Sequence, residues 1–406
     1  MEYFFCGKKM KIAVFIDSKL DSGGSFQCSA SNIKNLSQSA HKEFNFIFFT
    51  TEKENLSFFK EIKCEVKLVK FNFFDFLFSY LKRTFKLKRI LRGFSKLDNL
   101  FLKYEIDIVY FVNTSAFAKD LDRHNFIFTL WDLCHLDHPE FPEVSNHGEF
   151  ESRQELLLNV LPKATNVIVE SEIGKENLVN RFNIEKTRIK VLPVLPSLQI
   201  EEFDQNIKES EIDIKVKYSI AGDYIFYPAQ FWPHKNHIYI LRGLKKLKDE
   251  NIEIHATFTG SDKGNQEYIE HCAQKLNLSS QVHFLGFVDN EELPYLYKQS
   301  LALVMPTYFG PTNLPPEEAS ILECPILYSD LPDLKEQVIG RALLMDLKDP
   351  YDMARKLKKV INNDPEVKEL VLQAKNNSCE KKEKYLEIQY EMFKDYNHKR
   401  SCWDKS

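Results

Sequence analysis

The feature that most constrains the fold is a regular alternation of short β-branched or aromatic runs with amphipathic stretches. Alternation of strand and helix at this pace favours a parallel sheet that is covered on both faces. The pattern runs through one set of strands and then begins again, so the chain predicts two α/β lobes in series. The predicted strands are 11–17, 45–50, 66–71, 106–112, 126–130, 167–170 and 189–192 in the first lobe, and 224–227, 252–259, 282–285, 302–305, 326–328 and 342–345 in the second.

A charged, weakly periodic connector with two prolines, residues 193–220, separates the two lobes. We place the boundary at residue 205, which predicts an N-terminal domain over 1–205 and a C-terminal domain over 206–379. The chain after Asp349 reads as helix to its end, and the last helix, 380–406, is predicted to cross back and complete the first domain. Two Rossmann-like parallel-sheet lobes of this kind would face each other across a central cleft at the carboxyl ends of their strands, where open parallel sheets bind ligands.

The composition excludes several classes of protein. The 55 Lys and Arg residues against 59 Asp and Glu leave a formal net charge of -4, so no global basic field points to nucleic acid. The eight cysteines include no CxxC pair, which favours reduced thiols over a disulfide framework or a zinc site. No apolar run approaches the roughly 18 residues of a transmembrane helix. Because the stretch before the first strand is too short and too polar for a secretory signal, we expect a cytoplasmic protein.

The most informative segment is residues 305–330, MPTYFGPTNLPPEEASILECPILYSD. A predicted strand leads through a loop stiffened by Gly and Pro into a helix that is predicted to begin at about Pro316. The free amides of a helix N-terminus bind anionic ligands, and a carboxylate there can accept ribose hydroxyls. Glu317 and Glu318 therefore have two interpretations: they contact a nucleotide, or they only offset the helix dipole.

This segment resembles the retaining glycosyltransferases of group 1, the GT4 group, whose GT-B fold consists of two such lobes. That family has an E-x7-E loop of the form EGFGLPxLEAMACGxPV, in which the second Glu contacts the nucleotide ribose. The resemblance places Glu318 at the second Glu and Gly310 at the first, which is a departure from the family pattern. It also makes Thr312, Asn313 and Leu314 part of the predicted donor loop.

A second segment, residues 227–236 (YPAQFWPHKN), follows the first strand of the second lobe and resembles the family's donor-diphosphate site, G-R-x4-K-N. Lys235 and Asn236 match this pattern, whereas Gln230 stands at the Arg position. The resemblance implies that Lys235 neutralises the departing phosphate, while Gln230 can only donate a hydrogen bond. In isolation Lys235 would be read as a solvated residue at a helix start. Gly260, which follows a later strand in a smaller match, joins the predicted donor site.

Two segments of the first lobe also match family patterns. The Gly23–Gly24 pair follows the first strand and lets backbone amides approach a ligand, as the family's glycine loop does. Residues 128–141 (FTLWDLCHLDHPEF) resemble the family's T-x-H-D-L segment, with Asp132 matching and Trp131 at the position of the motif His. On the functional interpretation Asp132 and His135 line the acceptor or donor-sugar pocket. The alternative is an Asp that caps a turn and a His on the surface.

Metal binding has little support. Residues 135–140 hold two His and two carboxylates, but no sequence-separated partner with metal-ligand spacing accompanies them. Asp120 and Asp122 form a DxD pattern outside a plausible strand-end context, which favours chance. The GT-B resemblance implies no ion for the chemistry. We therefore predict no metal and no cofactor, with the nucleotide sugar as a substrate.

Residues 82–103 interleave basic and apolar side chains at helical spacing. One interpretation is an interfacial helix that holds the protein against an anionic membrane surface, where a lipid-linked acceptor is presented. This would make the protein peripheral on the inner face of the plasma membrane. The other interpretation is a packed helix of the first lobe with a solvated basic face. The pattern favours neither over the other.

The resemblance and these residues together predict a retaining GT4-like glycosyltransferase of the hexosyl type. It would move a sugar from a UDP-, GDP- or ADP-type nucleotide sugar to a glycan or lipid-linked acceptor in envelope polysaccharide synthesis, such as O-antigen or capsule. One rival is another GT-B chemistry, a nucleotide-sugar epimerase or a phosphorylase. The other is a catalytically inactive GT-B protein that binds nucleotide sugar or a partner, which the departures at Trp131, Gln230 and Gly310 favour.

Overall fold

The structure is a computed structural model that describes residues 9–19, 23–38, 43–75, 77, 95–205, 212–310 and 313–403. The chain divides into two compact units. The first comprises Met1–Trp131, Glu151–Leu192 and Tyr385–Ser406, and the second comprises Asp132–Phe150 and Pro193–Lys384. Residues 132–150 and 193–205, which the sequence analysis assigned to the first domain, therefore group with the second unit.

Strands and helices alternate along the described residues. The strands are β1 (Met10–Ile16), β2 (Phe44–Thr50), β3 (Val66–Leu68), β4 (Ile108–Phe111), β5 (Asn125–Thr129), β6 (Asn166–Val169), β7 (Ile189–Val191), β8 (Tyr224–Pro228), β9 (His255–Thr259), β10 (Val282–Gly286), β11 (Leu303–Met305), β12 (Ile326–Ser329) and β13 (Leu343–Met345). The helices are α1 (Gly24–Ser37), α2 (Asn55–Glu61), α3 (Lys96–Lys103), α4 (Cys134–Asp137), α5 (Pro142–Ser145), α6 (Glu149–Val160), α7 (Glu172–Phe182), α8 (Leu198–Gln205), α9 (Ile214–Lys217), α10 (His237–Asp249), α11 (Gln266–Lys275), α12 (Leu293–Lys298), α13 (Leu314–Ile321), α14 (Pro332–Lys335), α15 (Pro350–Ile361) and α16 (Pro365–Arg400).

The sheet of the first unit has the strand order β3-β2-β1-β4-β5-β6-β7, and its strand pairs are parallel. Ile12 of β1 pairs with Phe46 on one side and with Ile108 on the other. β4 is buried at every residue, because helices cover both faces of a parallel sheet. This double burial is the reason that such strands read as continuous apolar runs in the sequence.

The last part of α16 belongs to the first unit, where polar side chains attach it to the sheet. The amide of Gln389 donates to Asn32 Oδ1 at 2.9 Å, and Asn32 Nδ2 donates to the hydroxyl of Tyr110 at 2.5 Å. The hydroxyl of Tyr396 donates to the backbone oxygen of Asp107 at 2.9 Å. These buried groups satisfy one another, so the end of the chain completes the first unit.

The sheet of the second unit has the order β10-β9-β8-β11-β12-β13, again with parallel pairs. β8 lies inside this sheet, between β9 and β11. Because the carboxyl ends of parallel strands meet at one edge of a sheet, the loops after β8, β9 and β11 are neighbours there. All three loops contain predicted donor-site residues: Gln230 and Lys235 follow β8, Gly260 follows β9, and Gly310 and Asn313 follow β11.

The strand prediction is confirmed, since each predicted strand appears with its ends shifted by a few residues. The helix that was predicted to begin at about Pro316 begins at Leu314 instead. Prolines are tolerated in a first helical turn, because the N–H groups that they lack have no intrahelical acceptor there. The helical stretch after Asp349 is interrupted between α15 and α16.

The basic stretch over 82–103 lies mostly outside the described residues, which resume at residue 95. Its described end forms α3, whose Leu97 and Phe101 are buried in the first unit. Across the described ranges, no helix is both long enough and apolar enough to cross a membrane.

Candidate active site

The loop after β8 places Lys235 at the carboxyl end of the second sheet. A short 3₁₀ turn, Pro233–Lys235, ends at Asn236, whose left-handed backbone (φ 54°) is a conformation that Asn tolerates. α10 begins at the next residue, so the turn lies at a helix N-terminus. The hydroxyl of Tyr227 donates to the backbone oxygen of Lys235 at 3.0 Å and fixes the turn to the strand.

Lys235 and Asn313, both predicted donor-site residues, lie together. Lys235 Nζ donates to Asn313 Oδ1 at 3.1 Å. Burial lowers the pKa of Lys235 to about 8, although the charges of Cys134, Asp132 and Glu143 act in the opposite direction. An ammonium group that is already partly dehydrated pairs more readily with an anion, because less water has to be removed.

Gly310, which occupies the position of the first motif Glu, lies directly against Asn313. Its φ of 98° favours glycine, and a Cβ built at this position would lie 3.2 Å from Asn313 Oδ1. Asn313 Nδ2 donates to the backbone oxygen of Gly310 at 2.6 Å and to the hydroxyl of Tyr328 at 2.7 Å. The glycine therefore leaves room for the amide that contacts Lys235. Leu314 is buried as the first residue of α13, and Thr312 lies outside the described residues.

Glu317 lies in the first turn of α13 and Glu318 is the next residue, and the two carboxylates have different surroundings. Glu318 is only 3% exposed, and its two oxygens accept from Ser197 Oγ at 2.5 Å and from the Tyr297 hydroxyl at 2.7 Å. Burial raises the pKa of Glu318, and these hydroxyls act against that rise. Glu317 accepts two hydrogen bonds from Arg341, at 3.1 and 3.2 Å, so it forms a buried ion pair. The ribose contact of Glu318 stays a prediction; a carboxylate oxygen can accept a second hydrogen bond.

Gly260 and Gln230 lie at neighbouring strand ends. A Cβ on Gly260 would lie 2.7 Å from the backbone oxygen of Ala229 and 2.8 Å from the backbone nitrogen of Gln230, so only glycine fits. Gln230 Oε1 accepts from Trp232 Nε1 at 3.1 Å. The side chain at the motif Arg position is therefore held within its own loop by a neutral hydrogen bond.

Asp132 and His135 belong to the segment 132–150 of the second unit. Asp132 Oδ1 accepts from the backbone nitrogen of Cys134 at 2.9 Å, as an Asp that caps a turn does. His135 is 1% exposed, and its ring lies edge-on to Phe150 with 5.4 Å between the centroids. His135 is therefore not the surface histidine of the alternative interpretation.

The contact between Glu143 and His234 was not predicted from the sequence. Glu143 Oε1 accepts from the backbone nitrogen of His234 at 3.0 Å and lies 2.5 Å from His234 Nδ1. The imidazole stacks on Phe309 with 3.8 Å between the ring centroids. Burial lowers the pKa of His234 to about 4, so the ring is neutral at pH 7. The two residues are 91 positions apart, and no local pattern links them.

The first unit has its own polar cluster at the ends of β1 and β4. Asp17 accepts from Asn113 Nδ2 at 2.5 Å and from Ser115 Oγ at 2.9 Å, and burial raises its pKa. Gly23, with a φ of 71°, is the cap residue of α1, and a Cβ on Gly24 would meet open space. The sequence pattern indicated the glycines but not the buried carboxyl group that precedes them.

In the part of the chain that the structure describes, no group of three or more His, Cys, Asp or Glu residues is placed to hold a metal ion. In the segment 135–140, His138 Nδ1 lies 3.6 Å from Glu140 Oε1. The expectation that the chemistry uses no metal stays a prediction.

Comparisons with known proteins agree with the resemblance. Residues 211–377 match the family described as glycosyl transferases group 1. The O-antigen chain mannosyltransferase RfbU of Salmonella typhimurium is 25% identical over 206 residues, which cover 50% of this chain and 53% of that protein. This chain spans about half the length of the curated relatives that it matches.

Solved structures match almost the whole chain. A glycosyltransferase from Rickettsia africae has a TM-score of 0.69 at 14% identity and covers 96% of this chain and 99% of its own. Anabaena HepE in complex with UDP-glucose has a TM-score of 0.70 at 14% identity and covers 95% and 100%. At this identity the likeness shows the fold alone, and that fold is GT-B with its two parallel-sheet units. The chain has the GT-B fold, and its residues 211–377 match the group 1 glycosyl transferases.

Proposed function

We propose that this chain is a retaining, GT4-like glycosyltransferase that moves a sugar from a nucleotide-sugar donor to a glycan or lipid-linked acceptor. The observation that supports it best is the half-buried ammonium of Lys235, held by Asn313 Oδ1 beside the first turn of α10. A cation beside the N-terminus of a helix suits the phosphates of a nucleoside diphosphate.

In the proposed reaction, the bond between the anomeric carbon and the diphosphate oxygen breaks, and negative charge grows on the leaving diphosphate. Lys235 neutralises this charge together with the backbone amides of the loop, and Gln230 supplies a neutral hydrogen bond. The acceptor hydroxyl attacks from the face that the diphosphate leaves, and a phosphate oxygen takes its proton. The products are a glycoside and a nucleoside diphosphate.

The remaining predicted residues have supporting roles in this proposal. Glu318 binds the ribose hydroxyls, as the second Glu of the motif does in the family. Asp132 and His135 contribute to the sugar pocket, and the Gly23–Gly24 pair offers backbone amides to a ligand. None of these roles requires a covalent intermediate with the protein.

The proteins similar to this chain support a finer proposal for the donor and the product. HepE is described in complex with UDP-glucose, and RfbU is described as an O-antigen chain mannosyltransferase. We therefore propose a hexose donor, with UDP as the first base to test, and a product in envelope polysaccharide such as O-antigen. GDP- and ADP-linked sugars are the alternatives within the same test.

We also propose that the protein lies peripherally on the inner face of the plasma membrane. Phe73 and Phe74 are 74% and 64% exposed, and they precede the basic stretch of residues 82–103 in the sequence. Exposed aromatic side chains next to basic residues are typical of surfaces that bind anionic lipid.

A second candidate function is a catalytically inactive protein that binds nucleotide sugar. The observation that favours it is the position of Glu318, whose two oxygens already accept from Ser197 and Tyr297. If those two bonds persist when a nucleotide sugar is present, Glu318 stabilises its own unit and does not bind the ribose.

The experiment that tests the proposal is a thermal-shift panel of UDP, GDP, ADP and their hexose conjugates. A ligand that binds only the folded state stabilises it by mass action, by about 2.7 kcal/mol at 100 times its Kd, and so raises the melting temperature. We expect a shift with one base, its loss in Lys235→Ala, and its retention in Lys348→Ala, which removes an exposed lysine of the same unit.

The nucleotide that binds is then used as its hexose conjugate with glycan and lipid-linked acceptors, and release of nucleoside diphosphate is measured. Acceptor-dependent release supports the transferase. Binding without release supports the inactive protein, and conversion of the nucleotide sugar into its epimer without an acceptor supports the epimerase. A wild-type protein that no nucleotide stabilises would contradict the proposal.

A further inference from the structure

A side-chain amide holds the backbone of Asn313 on both sides. Gln337 Oε1 accepts from the backbone nitrogen of Asn313 at 2.9 Å, and Gln337 Nε2 donates to the backbone oxygen of the same residue at 2.5 Å. The two bonds use the one donor and one acceptor that a residue's main chain offers. Gln337 therefore fixes Asn313 much as a neighbouring strand would.

The orientation of the Gln337 amide is set by a buried carboxylate. Gln337 Nε2 also donates to Glu317 Oε1 at 3.1 Å, so its nitrogen must face Glu317 and its oxygen must face Asn313. Glu317 is itself held by two hydrogen bonds from Arg341 and by Lys381 Nζ at 2.6 Å. Bidentate and charge-assisted bonds are geometrically specific, so the anchor is rigid.

The same network ends at Lys235. The side chain of Asn313 donates from Nδ2 to Gly310 and Tyr328, which leaves Oδ1 directed at Lys235 Nζ, 3.1 Å away. A continuous series of hydrogen bonds thus runs from Lys381 on α16 through Glu317, Gln337 and Asn313 to the lysine. Its members come from four separate parts of the second unit.

We propose that Gln337 is a positioning residue for the donor site: by holding Asn313 it aims the Lys235 ammonium at the diphosphate of the nucleotide sugar. This inference rests on the proposed function, which supplies the diphosphate. Gln337 itself touches no reacting atom. It acts through Asn313, and Glu317 with its two cations keeps the amide in the required orientation.

Several charged groups face Lys235 and would obscure the result of a charged substitution. Cys134, Asp132 and Glu143 favour the ammonium form, and the neighbouring His234 is neutral at pH 7. The test therefore uses a neutral replacement of similar length, Gln337→Met, which removes the hydrogen bonds to Asn313 and Glu317.

The chain offers a matched control. Gln299 makes the same kind of bond pair elsewhere in the second unit, since its Oε1 accepts from the backbone nitrogen of Ile214 at 2.9 Å and its Nε2 donates to the backbone oxygen of Ile212 at 2.7 Å. Gln299→Met removes an equivalent pair that does not lead to Lys235. Because Gln337→Met also removes the hydrogen bonds with Glu317 and Tyr328, the two variants are compared by the labelling midpoint of Lys235 and not by their stability.

The first measurement needs no nucleotide. Trace acetylation of the lysines across pH 6.5–10, with peptide mass spectrometry, gives the pKa of Lys235 from the pH dependence of its labelling. When Gln337 no longer holds Asn313, the Lys235 ammonium loses its hydrogen bond to Asn313 Oδ1. We therefore expect Gln337→Met to lower the pH at the midpoint of Lys235 labelling. We expect Gln299→Met to leave the midpoint at the wild-type value.

The second measurement is the Kd for UDP by calorimetry. We expect Gln337→Met to raise the Kd about tenfold, an effect typical of losing one hydrogen bond to a charged group, and Gln299→Met to leave it unchanged. If Gln337→Met does not fold, Gln337→Asn replaces it, because the shorter amide cannot reach both backbone groups of Asn313.

An unchanged labelling midpoint in the folded Gln337 variant overturns the inference, whatever the nucleotide does. A shifted midpoint with an unchanged Kd also overturns it, because Lys235 would then have moved without consequence for the ligand. Failure of the wild-type protein to bind any nucleotide overturns the proposed function separately, and with it the role of Gln337 toward a diphosphate.

Discussion

Glu143 accepts two hydrogen bonds from His234 with a single carboxylate oxygen, one from the backbone nitrogen at 3.0 Å and one from Nδ1 at 2.5 Å. Burial pushes the pKa of Glu143 up, but these bonds outweigh it and hold the pKa below its ordinary value. Because Nδ1 is the donor, the neutral imidazole has its lone pair on Nε2. The contact ties segment 132–150 to the loop that contains Lys235.

We expect Glu143→Ala to destabilise the protein by about 2–4 kcal/mol, since two buried N–H groups of His234 lose their acceptor. Glu143→Gln should lose much less, because its amide oxygen can still accept both bonds. Glu140→Ala serves as the control, since the side chain of Glu140 is 65% exposed. Urea unfolding at pH 7 gives the three values. A Glu143→Ala protein within 0.5 kcal/mol (about the scatter of surface substitutions) of the wild type would contradict the account.

His237 should weaken the fold as the pH falls. Its ring is buried among Tyr227, Phe231 and Phe258, and neither ring nitrogen has a hydrogen-bond partner within the described ranges. Burial lowers its pKa to about 3, below the ordinary value of 6.5. A depressed pKa means that the unfolded chain binds the proton first, so stability is present above pH 6.5 and declines as the pH falls toward 3.

The corresponding variant is His237→Phe. Since it removes two unpartnered polar atoms from an aromatic cluster, we expect a melting temperature at pH 7 equal to or above that of the wild type. We also expect a smaller loss of stability between pH 7 and pH 5, by up to about 1.4 kcal/mol per pH unit below 6.5. His234, whose pKa is lowered to about 4, still contributes in both proteins. Equal pH slopes for the two proteins would refute the assignment.

Gly310→Glu restores the first carboxylate of the motif, yet we expect it to weaken the site. Any other residue at position 310 has to adopt a backbone φ of 98°, and its Cβ lies 3.2 Å from Asn313 Oδ1. The strained backbone alone costs about 1–2 kcal/mol. Both costs arise with a single Cβ. We therefore expect Gly310→Ala, like Gly310→Glu, to lower the stability of the protein and its affinity for UDP.

Gly264→Ala is the matched control for that prediction. Gly264 has a φ of 89°, and a Cβ there meets nothing within 4 Å. Gly264→Ala should lose only the stability that the strained backbone costs, and it should bind UDP as the wild type does. Comparable UDP affinities for the two alanine variants would show that Asn313 tolerates a side chain at 310.

Nucleotide binding should weaken at alkaline pH. Burial lowers the pKa of Lys235 to about 8, so the ammonium that pairs with the diphosphate is lost as the pH rises through 8. Affinity for UDP should then fall by up to about tenfold per pH unit. Lys235→Arg keeps its charge over this range, so its affinity, although lower, should be nearly independent of pH from 7 to 9.5. Calorimetric titrations at four pH values measure both proteins, and parallel curves would exclude Lys235 as the titrating group.

The carboxylates of α13 show what a local sequence pattern can predict and what it cannot. The sequence pattern predicted both Glu317 and Glu318 at a helix N-terminus, and in the structure Glu317 lies in the first turn of α13 while Glu318 follows that turn. Their separate roles depend on partners that are distant in sequence: Arg341 is 24 positions from Glu317, and Ser197 is 121 positions from Glu318. No periodicity encodes such distances, so neither the buried ion pair nor the hydroxyl partners could be predicted.

The strands, their parallel arrangement and the position of Lys235 after β8 followed from the sequence alone, because double burial and turn chemistry are properties of short segments. The tertiary structure decided that segment 132–150 joins the second unit, that Gln337 holds Asn313, and that Gly310 leaves room for an amide. These are contacts between loops at the end of a sheet. They depend on which strands are neighbours, and that order is set by the packing of the whole unit rather than by any segment within it.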